Sequence, residues 1–266
     1  MLIGKTVVIT GVASGIGART AELATAMGAD VIGIDIREPA QSNGTFLAGD
    51  LSTPEGIAAI VGRLPGRFDA LLNIAGISGS VGAAKTLAIN FYGLRHFTEE
   101  VAGRLREAGS VVNVASIAGY GWRANLDRAR RMVGVPGFPD IERVMADNDV
   151  PNEIGYPLSK ELLLLWTQMA AHQAQFKGRG IRVNAVSPGP VETPILKEFR
   201  SVLGDERVDS DISRTGRAGT ASDIAPVVLF MASDAARWIN GANIACDGGL
   251  EASVNADVLG FNPQQG

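Results

Sequence analysis

The sequence predicts an α/β protein built on a doubly wound parallel sheet, and three observations carry that prediction. Short β-branched runs alternate with helical stretches, the pattern of strands covered by helices on both faces. A glycine-rich turn joins the first strand-like run to the first helical one, and an acidic residue closes the second strand.

The first apolar run is Thr6–Thr10, followed by Gly11-Val12-Ala13-Ser14-Gly15-Ile16-Gly17 and an Ala-rich helical segment to about Met27. Glycines at such a turn let the backbone approach a pyrophosphate, and the free N–H groups at the helix start favour the anion. Gly11, Ser14, Gly15, Ile16 and Gly17 are therefore candidate cofactor contacts. The spacing is Gly-x-x-x-Gly-x-Gly, not the commoner Gly-x-Gly-x-x-Gly, and a turn of this kind can also be purely structural. The second strand, Asp30–Asp35, ends in an acid eighteen positions after Gly17 (35 minus 17). A carboxylate there can accept both ribose hydroxyls of an adenosine and repels a 2′-phosphate, so Asp35 favours NAD over NADP. Arg37 could pair with a phosphate, but no Lys or Arg lies between Gly11 and Gly17 to help it.

Strands over 45–48, 70–74, 110–114, 181–186 and 242–245 continue the alternation, with a helix over 53–64 and a long one ending near Glu107. A strand-helix order throughout means one Rossmann-type domain over residues 1–266, with ligands at the carboxyl ends of the strands. Asp50, Asn73, Ser116 and Pro188-Gly189 fall at or just beyond those ends. Each alone is an ordinary turn former; together they mark one edge.

Tyr156-Pro157-Leu158-Ser159-Lys160 places a phenol and an ammonium four residues apart, on one face if the segment is helical. A phenol of pKa about 10 needs about three units of depression, about 4 kcal/mol, to act as a base at neutral pH. One cation at about 4 Å, in a site of effective dielectric about 20, contributes that much. An exposed Tyr and Lys on a solvated helix is the plainer reading.

The formal charge of −4, with no block of like charge, argues against nucleic acid or an anionic membrane as the main partner. Arg128, Arg130 and Arg131 form a local basic cluster that reads as a solvated helix face. The single cysteine, Cys246, excludes an intramolecular disulfide and fits a reducing, cytoplasmic setting. No signal-peptide pattern opens the chain. The aliphatic run 162–166 is far shorter than the roughly 20 residues needed to cross a bilayer, so a soluble protein is expected. His96 and His172 read as structural helix residues, and no spacing suggests a metal site. Trp122, Trp166 and Trp238 read as packing or interface residues, with Trp122 near enough to Ser116 to line a pocket.

Thr10-Gly11-x-x-x-Gly15-Ile16-Gly17, Asp50-Leu51, Asn73-Ile74-Ala75-Gly76, Asn90, Ser116-x-x-Gly119, Tyr156-x-x-x-Lys160, Pro188-Gly189-x-Val191-x-Thr193 and Asp247-Gly248-Gly249 occur in one order along nearly the whole chain. Taken together, they resemble the motifs of the classical short-chain dehydrogenase/reductase family. The resemblance implies an NAD-dependent oxidoreductase interconverting alcohol and carbonyl. In it Tyr156 exchanges a proton with the substrate oxygen, Ser116 orients that oxygen, and Lys160 lowers the phenol pKa while binding the nicotinamide ribose. Asn90 holds a water linking Lys160 to solvent. Asp50 and Leu51 face the adenine, Asn73, Ala75 and Gly76 the adenosine side, and Pro188, Gly189, Val191 and Thr193 the nicotinamide end.

In most of the family a short loop separates the serine from the tyrosine, whereas here they are 40 positions apart (156 minus 116). The extra segment, about 120–152, reads as helix 124–133, a Gly/Pro break at 134–139, and helix 140–148. It resembles the insertion of bacterial 3α-hydroxysteroid dehydrogenase/carbonyl reductases and, through 51–57, 188–196 and 237–241, the coniferyl-alcohol dehydrogenases more closely. That resemblance implies a bulky apolar substrate, either a coniferyl-type aryl alcohol or a 3α-hydroxysteroid. It also implies an insertion that covers a tetramer-forming helix face, leaving a homodimer through 237–249. Because both ends of the insertion lie beside Ser116 and Tyr156, it is expected to shape the pocket rather than to be a surface ornament. Residues 195–216 are expected to form a lid, and the tail after Gly249 could also contribute to the pocket. Two other functions fit the same fold: a non-catalytic dinucleotide-binding sensor or scaffold, and an NADPH-dependent biosynthetic ketone reductase.

Overall fold

In the computed structural model, residues 2–261 are described. The strands are β1 (Thr6–Thr10), β2 (Asp30–Asp35), β3 (Thr45–Ala48), β4 (Phe68–Asn73), β5 (Leu105–Val114), β6 (Arg182–Pro188), β7 (Val191–Glu192), β8 (Gly219–Thr220) and β9 (Asn243–Cys246). Seven of them form one parallel sheet in the order β3-β2-β1-β4-β5-β6-β9, and β7 pairs with β8 in a small ribbon. The order reverses between β1 and β4, the crevice where such sheets bind ligands. Val7, Val8, Ile9, Leu71, Leu72, Val111 and Val112 are all fully buried, so these strands read as continuous apolar runs rather than alternating ones.

The α-helices are α1 (Gly15–Ala26), α2 (Pro54–Arg63), α3 (Ala83–Leu87), α4 (Leu94–Val101), α5 (Leu126–Val133), α6 (Ile141–Asp147), α7 (Gly155–Ala170), α8 (Ala174–Lys177), α9 (Pro194–Leu203), α10 (Asp205–Thr215), α11 (Ala221–Ala232) and α12 (Leu250–Val258). Helices α1 and α11 cover one face of the sheet through Ala21, Ala24, Ile224 and Val228. The other face packs against α2, α4 and α7 through Ile57, Phe97, Leu162 and Trp166. Local signals set several ends. Thr53 caps α2 by accepting from the Gly56 N–H at 3.1 Å, with Pro54 in the first turn. Thr220 and Asp223 form a reciprocal capping box on α11.

Three sequence expectations are corrected here. The strand-helix alternation lapses between β2 and β3, where no helix forms; Pro39, Ser42, Asn43 and Gly44, the last at φ +120°, break any helical run. The long helix expected to end near Glu107 is α3, a π-helical turn Ala88–Gly93, α4 and a 3₁₀ turn Ala102–Arg104. Leu105 is already a strand residue, fully buried and paired with Phe68. Ala108, at φ +57°, takes the chain through the irregularity that follows. His172 lies in the turn after α7 rather than in a helix, while His96 is in α4.

The insertion folds as helix, break, helix, as its sequence predicts, and it is part of the core. Ala129, Met132, Val133, Ile141 and Val144 share one apolar cluster with Tyr92, Leu158, Leu162 and Trp166. At the break, the Arg95 guanidinium of α4, only 2% exposed, donates to the carbonyls of Val133 (2.9 Å), Val135 (2.6 Å) and Gly137 (2.6 Å). The Tyr92 hydroxyl donates to the carbonyl of Met132 at 3.1 Å. A cation at the carboxyl end of α5 also suits the helix dipole. Arg128 is half-buried and attracted by Glu161, so only Arg130 and Arg131 of the basic cluster face solvent.

Candidate active site

A cleft of about 600 Å³ opens at the carboxyl ends of the central strands. At one end the chain leaves β1 through the glycine turn. Gly15 has φ +56°, and a Cβ on Gly17 would come within 2.0 Å of the Gly11 carbonyl oxygen, so neither position tolerates a side chain. Ser14 sits at the N-cap of α1, whose first turn carries no acid, and its side chain makes no capping bond. The free N–H groups and the Ser14 side chain are thus available to an anion. Asp35 closes β2 with both oxygens engaged: Oδ2 accepts from the Ala13 N–H at 2.9 Å and Oδ1 from the Arg37 N–H at 3.0 Å. Asp50 lines the same end, its Oδ1 accepting from the Ser52 N–H at 2.8 Å, with Leu51 beside it. This seat of glycines, helix N-terminus and carboxylate fits the pyrophosphate and adenosine of a dinucleotide.

At the other end Ser116, Tyr156 and Lys160 line the cleft. Ser116 follows β5 and caps the 3₁₀ turn Ile117–Arg123, its Oγ accepting from the Ala118 N–H at 3.1 Å. Tyr156 and Lys160 are one turn apart on α7, the arrangement expected from their spacing. The Lys160 ammonium donates to the Val114 carbonyl at 3.0 Å and lies 5.7 Å from the centroid of the Tyr156 ring. Burial pulls the Lys160 ammonium down to about 8. Burial pushes the Tyr156 phenol up to about 12, opposed by a hydrogen bond with the Ser116 side chain. In the cofactor-free cleft desolvation is the dominant influence on both groups, and the Ser116 hydrogen bond rather than the Lys160 charge is what opposes it at the phenol.

Asn90 stands behind this group in the π-helical turn, fully buried. Its Oδ1 accepts from the Ile77 N–H at 2.9 Å, and its Nδ2 donates to the Ile77 carbonyl (2.9 Å) and to Ser159 Oγ (3.2 Å). Asn90 thereby ties the cleft wall to α7. A Cβ on Gly76 would lie 3.2 Å from Asn90 Oδ1 and 3.7 Å from Lys160 Nζ, so the glycine leaves room where the two meet.

Comparison with known proteins agrees with this geometry. Residues 5–126 match the short chain dehydrogenase family and residues 141–251 match a family described as enoyl-(acyl carrier protein) reductase. Coniferyl-alcohol dehydrogenase of a Pseudomonas species (strain HR199) is 41% identical over 252 residues, covering 95% of this chain and 98% of the relative. The chain belongs to the short-chain dehydrogenase/reductase family. The 3-alpha-hydroxysteroid dehydrogenase/carbonyl reductase of Comamonas testosteroni is 27% identical over 260 residues, 92% of this chain and 96% of the relative. Among solved structures, the 3-alpha-hydroxysteroid dehydrogenase of Pseudomonas sp. B-0831, complexed with NADH, superposes with a TM-score of 0.80 at 30% identity. That superposition covers 94% of this chain and 98% of the other.

Within this dehydrogenase/reductase, Ile16, Gly17, Ala75, Gly76, Pro188, Val191 and Thr193 also line the cleft, but two expected contacts do not. The Asn73 side chain turns inward, 1% exposed, and donates to Thr98 Oγ1 and Asn113 Oδ1, both at 2.9 Å. At the end of β4 the alternation of strand side chains sends it into the core, and Ile74 faces the cleft instead. Gly189 backs onto Asp247, where an added Cβ would come within 3.2 Å. Thr10 has a role that sequence reasoning did not assign: its Oγ1 accepts from the N–H groups of Ile74 (3.0 Å) and Ala75 (3.1 Å) and aims that loop.

The expectation for the insertion is also corrected. None of residues 120–152 lines the main cleft; their apolar faces turn toward α4 and α7, and Arg95 holds them there. Trp122 lines only a small cavity of about 30 Å³ on the far side of Ser116. The lid, in contrast, reaches the site. Ile195, Glu198 and Phe199 of α9 line the cleft, and the Phe199 ring meets Tyr156 edge-on with centroids 4.6 Å apart. The i, i+4 spacing of Ile195 and Phe199 puts the two on one face of α9. Helix α10 is held against α12 by Arg214, which pairs with Asp257 at 2.7 Å and donates to Ser253 at 2.8 Å. Part of the tail after Gly249 therefore braces the lid; residues 262–266 lie outside the described residues.

Proposed function

We propose that this dehydrogenase/reductase interconverts an alcohol and a carbonyl by hydride transfer with NAD, acting on a bulky apolar substrate of the coniferyl-type aryl alcohol class. The observation that carries the reading is the convergence of Ser116, Tyr156 and Lys160 on the same cleft whose far end is closed by Asp35. In that cleft Gly11, Ser14, Gly15, Ile16 and Gly17 hold the pyrophosphate, and Asp35 accepts the adenosine ribose hydroxyls and disfavours a 2′-phosphate. Asp50 and Leu51 flank the adenine, Ile74, Ala75 and Gly76 the adenosine side, and Pro188, Val191 and Thr193 the carboxamide. A bound dinucleotide would supply the hydride acceptor or donor and, when oxidised, a positive charge that favours the ionised phenol. Ser116 Oγ positions the substrate oxygen, and Tyr156 gives it a proton in reduction or takes one in oxidation. A phenol held well above neutrality is the proton donor in the reductive direction. Lys160 binds the nicotinamide ribose, and Asn90 holds the wall on which Lys160 and Gly76 meet. No helix among the described residues is long and apolar enough to cross a membrane, in keeping with a cytoplasmic enzyme. Trp238, 97% exposed in the 237–249 segment, supports a homodimer through that edge.

Tyr156→Phe is expected to abolish turnover while NADH binding, followed by fluorescence, is spared; undiminished turnover sinks the mechanism. Measuring the wild type with both NAD and NADP on one alcohol tests Asp35, and equal use of the two refutes the preference. Similarity to 3-alpha-hydroxysteroid dehydrogenases favours a second substrate class, and an alcohol panel followed by NADH formation separates it from aryl alcohols.

A further inference from the structure

The substrate end of the cleft carries one acid that the mechanism above does not use. Glu198 lies on α9 next to Phe199, and both line the cleft. Its Oε2 accepts from Ser78 Oγ at 2.6 Å and from Ser80 Oγ at 3.2 Å. Ser78 is 1% exposed, and it accepts in turn from the Ser80 N–H at 3.3 Å. Between the two serines, Gly79 has φ +96°, and a Cβ there would lie 3.1 Å from the Cβ of Tyr156. The serine turn thus abuts Tyr156, and it seats the carboxylate next to the tyrosine, while Phe199 covers the tyrosine ring.

The wiring of this carboxylate is one-sided. A carboxylate offers about four acceptor positions over its two oxygens, and among the described residues both hydrogen bonds fall on Oε2. No Lys or Arg among them forms an ion pair with Glu198. Glu198 is exposed at the rim of the cleft, so Oε1 has acceptor capacity there, beside the apolar side chains of Ile195 and Phe199. A purely hydrocarbon substrate would leave that acceptor without use and would bring apolar surface against a charge. A substrate placing its own carboxylate or phosphate against Glu198 would be repelled there.

We propose that Glu198, held by Ser78 and Ser80, is a specificity-determining residue that accepts a hydrogen bond from a second hydroxyl of the substrate, remote from the carbinol. This rests on the aryl-alcohol reading above and narrows it. The substrates selected are neutral aryl alcohols bearing a free phenol, whose hydroxyl is a stronger donor than an aliphatic one and forms a charge-assisted bond to a carboxylate. Alcohols with a masked phenol, and hydroxy acids, are disfavoured.

The test is a ratio, so that any effect of Glu198 on lid closure cancels. kcat/KM for NAD reduction is measured with coniferyl alcohol and with its phenol-methylated ether, in the wild type, Glu198→Ala and Ser80→Ala. The wild type is expected to prefer the free phenol by about tenfold, the size of one hydrogen bond to a charged group. Glu198→Ala is expected to bring the ratio to near one, whereas Ser80→Ala, which keeps the carboxylate, retains most of the preference. A ratio unchanged between wild type and Glu198→Ala, whatever its size, overturns the assignment while leaving the aryl-alcohol reading standing. Oxidation of neither alcohol by the wild type overturns that reading, and the assignment with it.

Discussion

The insertion and the lid both depart from the strand-helix repeat, and both were expected to shape the substrate pocket, yet they are built in opposite ways. The insertion's helices bury Ala129, Met132, Val133, Ile141 and Val144 in the main core. Its Gly/Pro break is held by three hydrogen bonds from Arg95. Among the residues of α9 and α10 whose burial is described, only Val208 is buried; the lid meets the rest of the protein through a few side-chain contacts, Glu198 with Ser78 and Ser80, Phe199 with Tyr156, and Arg214 with Ser253 and Asp257. The core-mounted segment is absent from the cleft, and the lightly held one lies over Tyr156. Adjacency in sequence to Ser116 and Tyr156 was thus a poor guide to which segment meets substrate. The direction of the apolar face was the better one, because a face committed to the core cannot also line the cleft. Light attachment also suits a segment that must open for substrate entry.

The largest effect expected from this contrast is on stability. Arg95→Ala leaves the carbonyls of Val133, Val135 and Gly137 without their donor in a buried site, and should cost about 3 kcal/mol. Urea unfolding measures this, and a loss below about 0.5 kcal/mol would mean that the insertion is not mounted on the core as described.

Helix α7 stands between the two regions, with the insertion on one side and the cleft on the other, and Lys160 reports on that setting. Its pKa is about 8 in the folded protein against an ordinary 10.5. Between those values the unfolded chain binds more protons than the folded one, so stability rises with pH across the window, by at most about 1.4 kcal/mol per pH unit. Tyr156 acts with the opposite sign only above its ordinary value of 10, where a folded-state pKa of about 12 makes stability fall. Cofactor-free wild type should therefore gain stability relative to Lys160→Met between pH 8 and pH 10. Parallel pH profiles of the two proteins would show that Lys160 is not desolvated.

The smallest stability effect is expected in the lid. Phe199→Ala removes the ring facing Tyr156 from a helix outside the core, and should change unfolding by less than about 0.5 kcal/mol. The same change should raise KM for a bulky alcohol several-fold. A stability loss comparable to that of Arg95→Ala would erase the distinction between the two regions.

Much of the cofactor end was legible in the sequence. Gly15 and Gly17 are required by a positive φ and by a contact with the Gly11 carbonyl that leaves no room for a Cβ, and both arise within one short turn. Asp35 at the end of β2 and the one-turn separation of Tyr156 and Lys160 follow from strand length and helical period, which are local properties. The electrostatics at Tyr156 were not legible, because desolvation depends on what the fold packs around the phenol rather than on its distance from Lys160 along the chain. The inward direction of the Asn73 side chain was not legible for a related reason: motif position does not say which side of a strand end faces the crevice. The partnership of Glu198 with Ser78 spans 120 positions and has no periodicity to reveal it. In the sequence by itself, the alternation of apolar runs determined the parallel sheet, short-range geometry placed the glycine turn, Asp35 and the one-turn spacing of Tyr156 and Lys160, and the family resemblance rather than spacing joined Ser116 to that pair. Only the tertiary structure decided which of two irregular segments covers the cleft, because that choice depends on competition between long-range apolar faces for the same core.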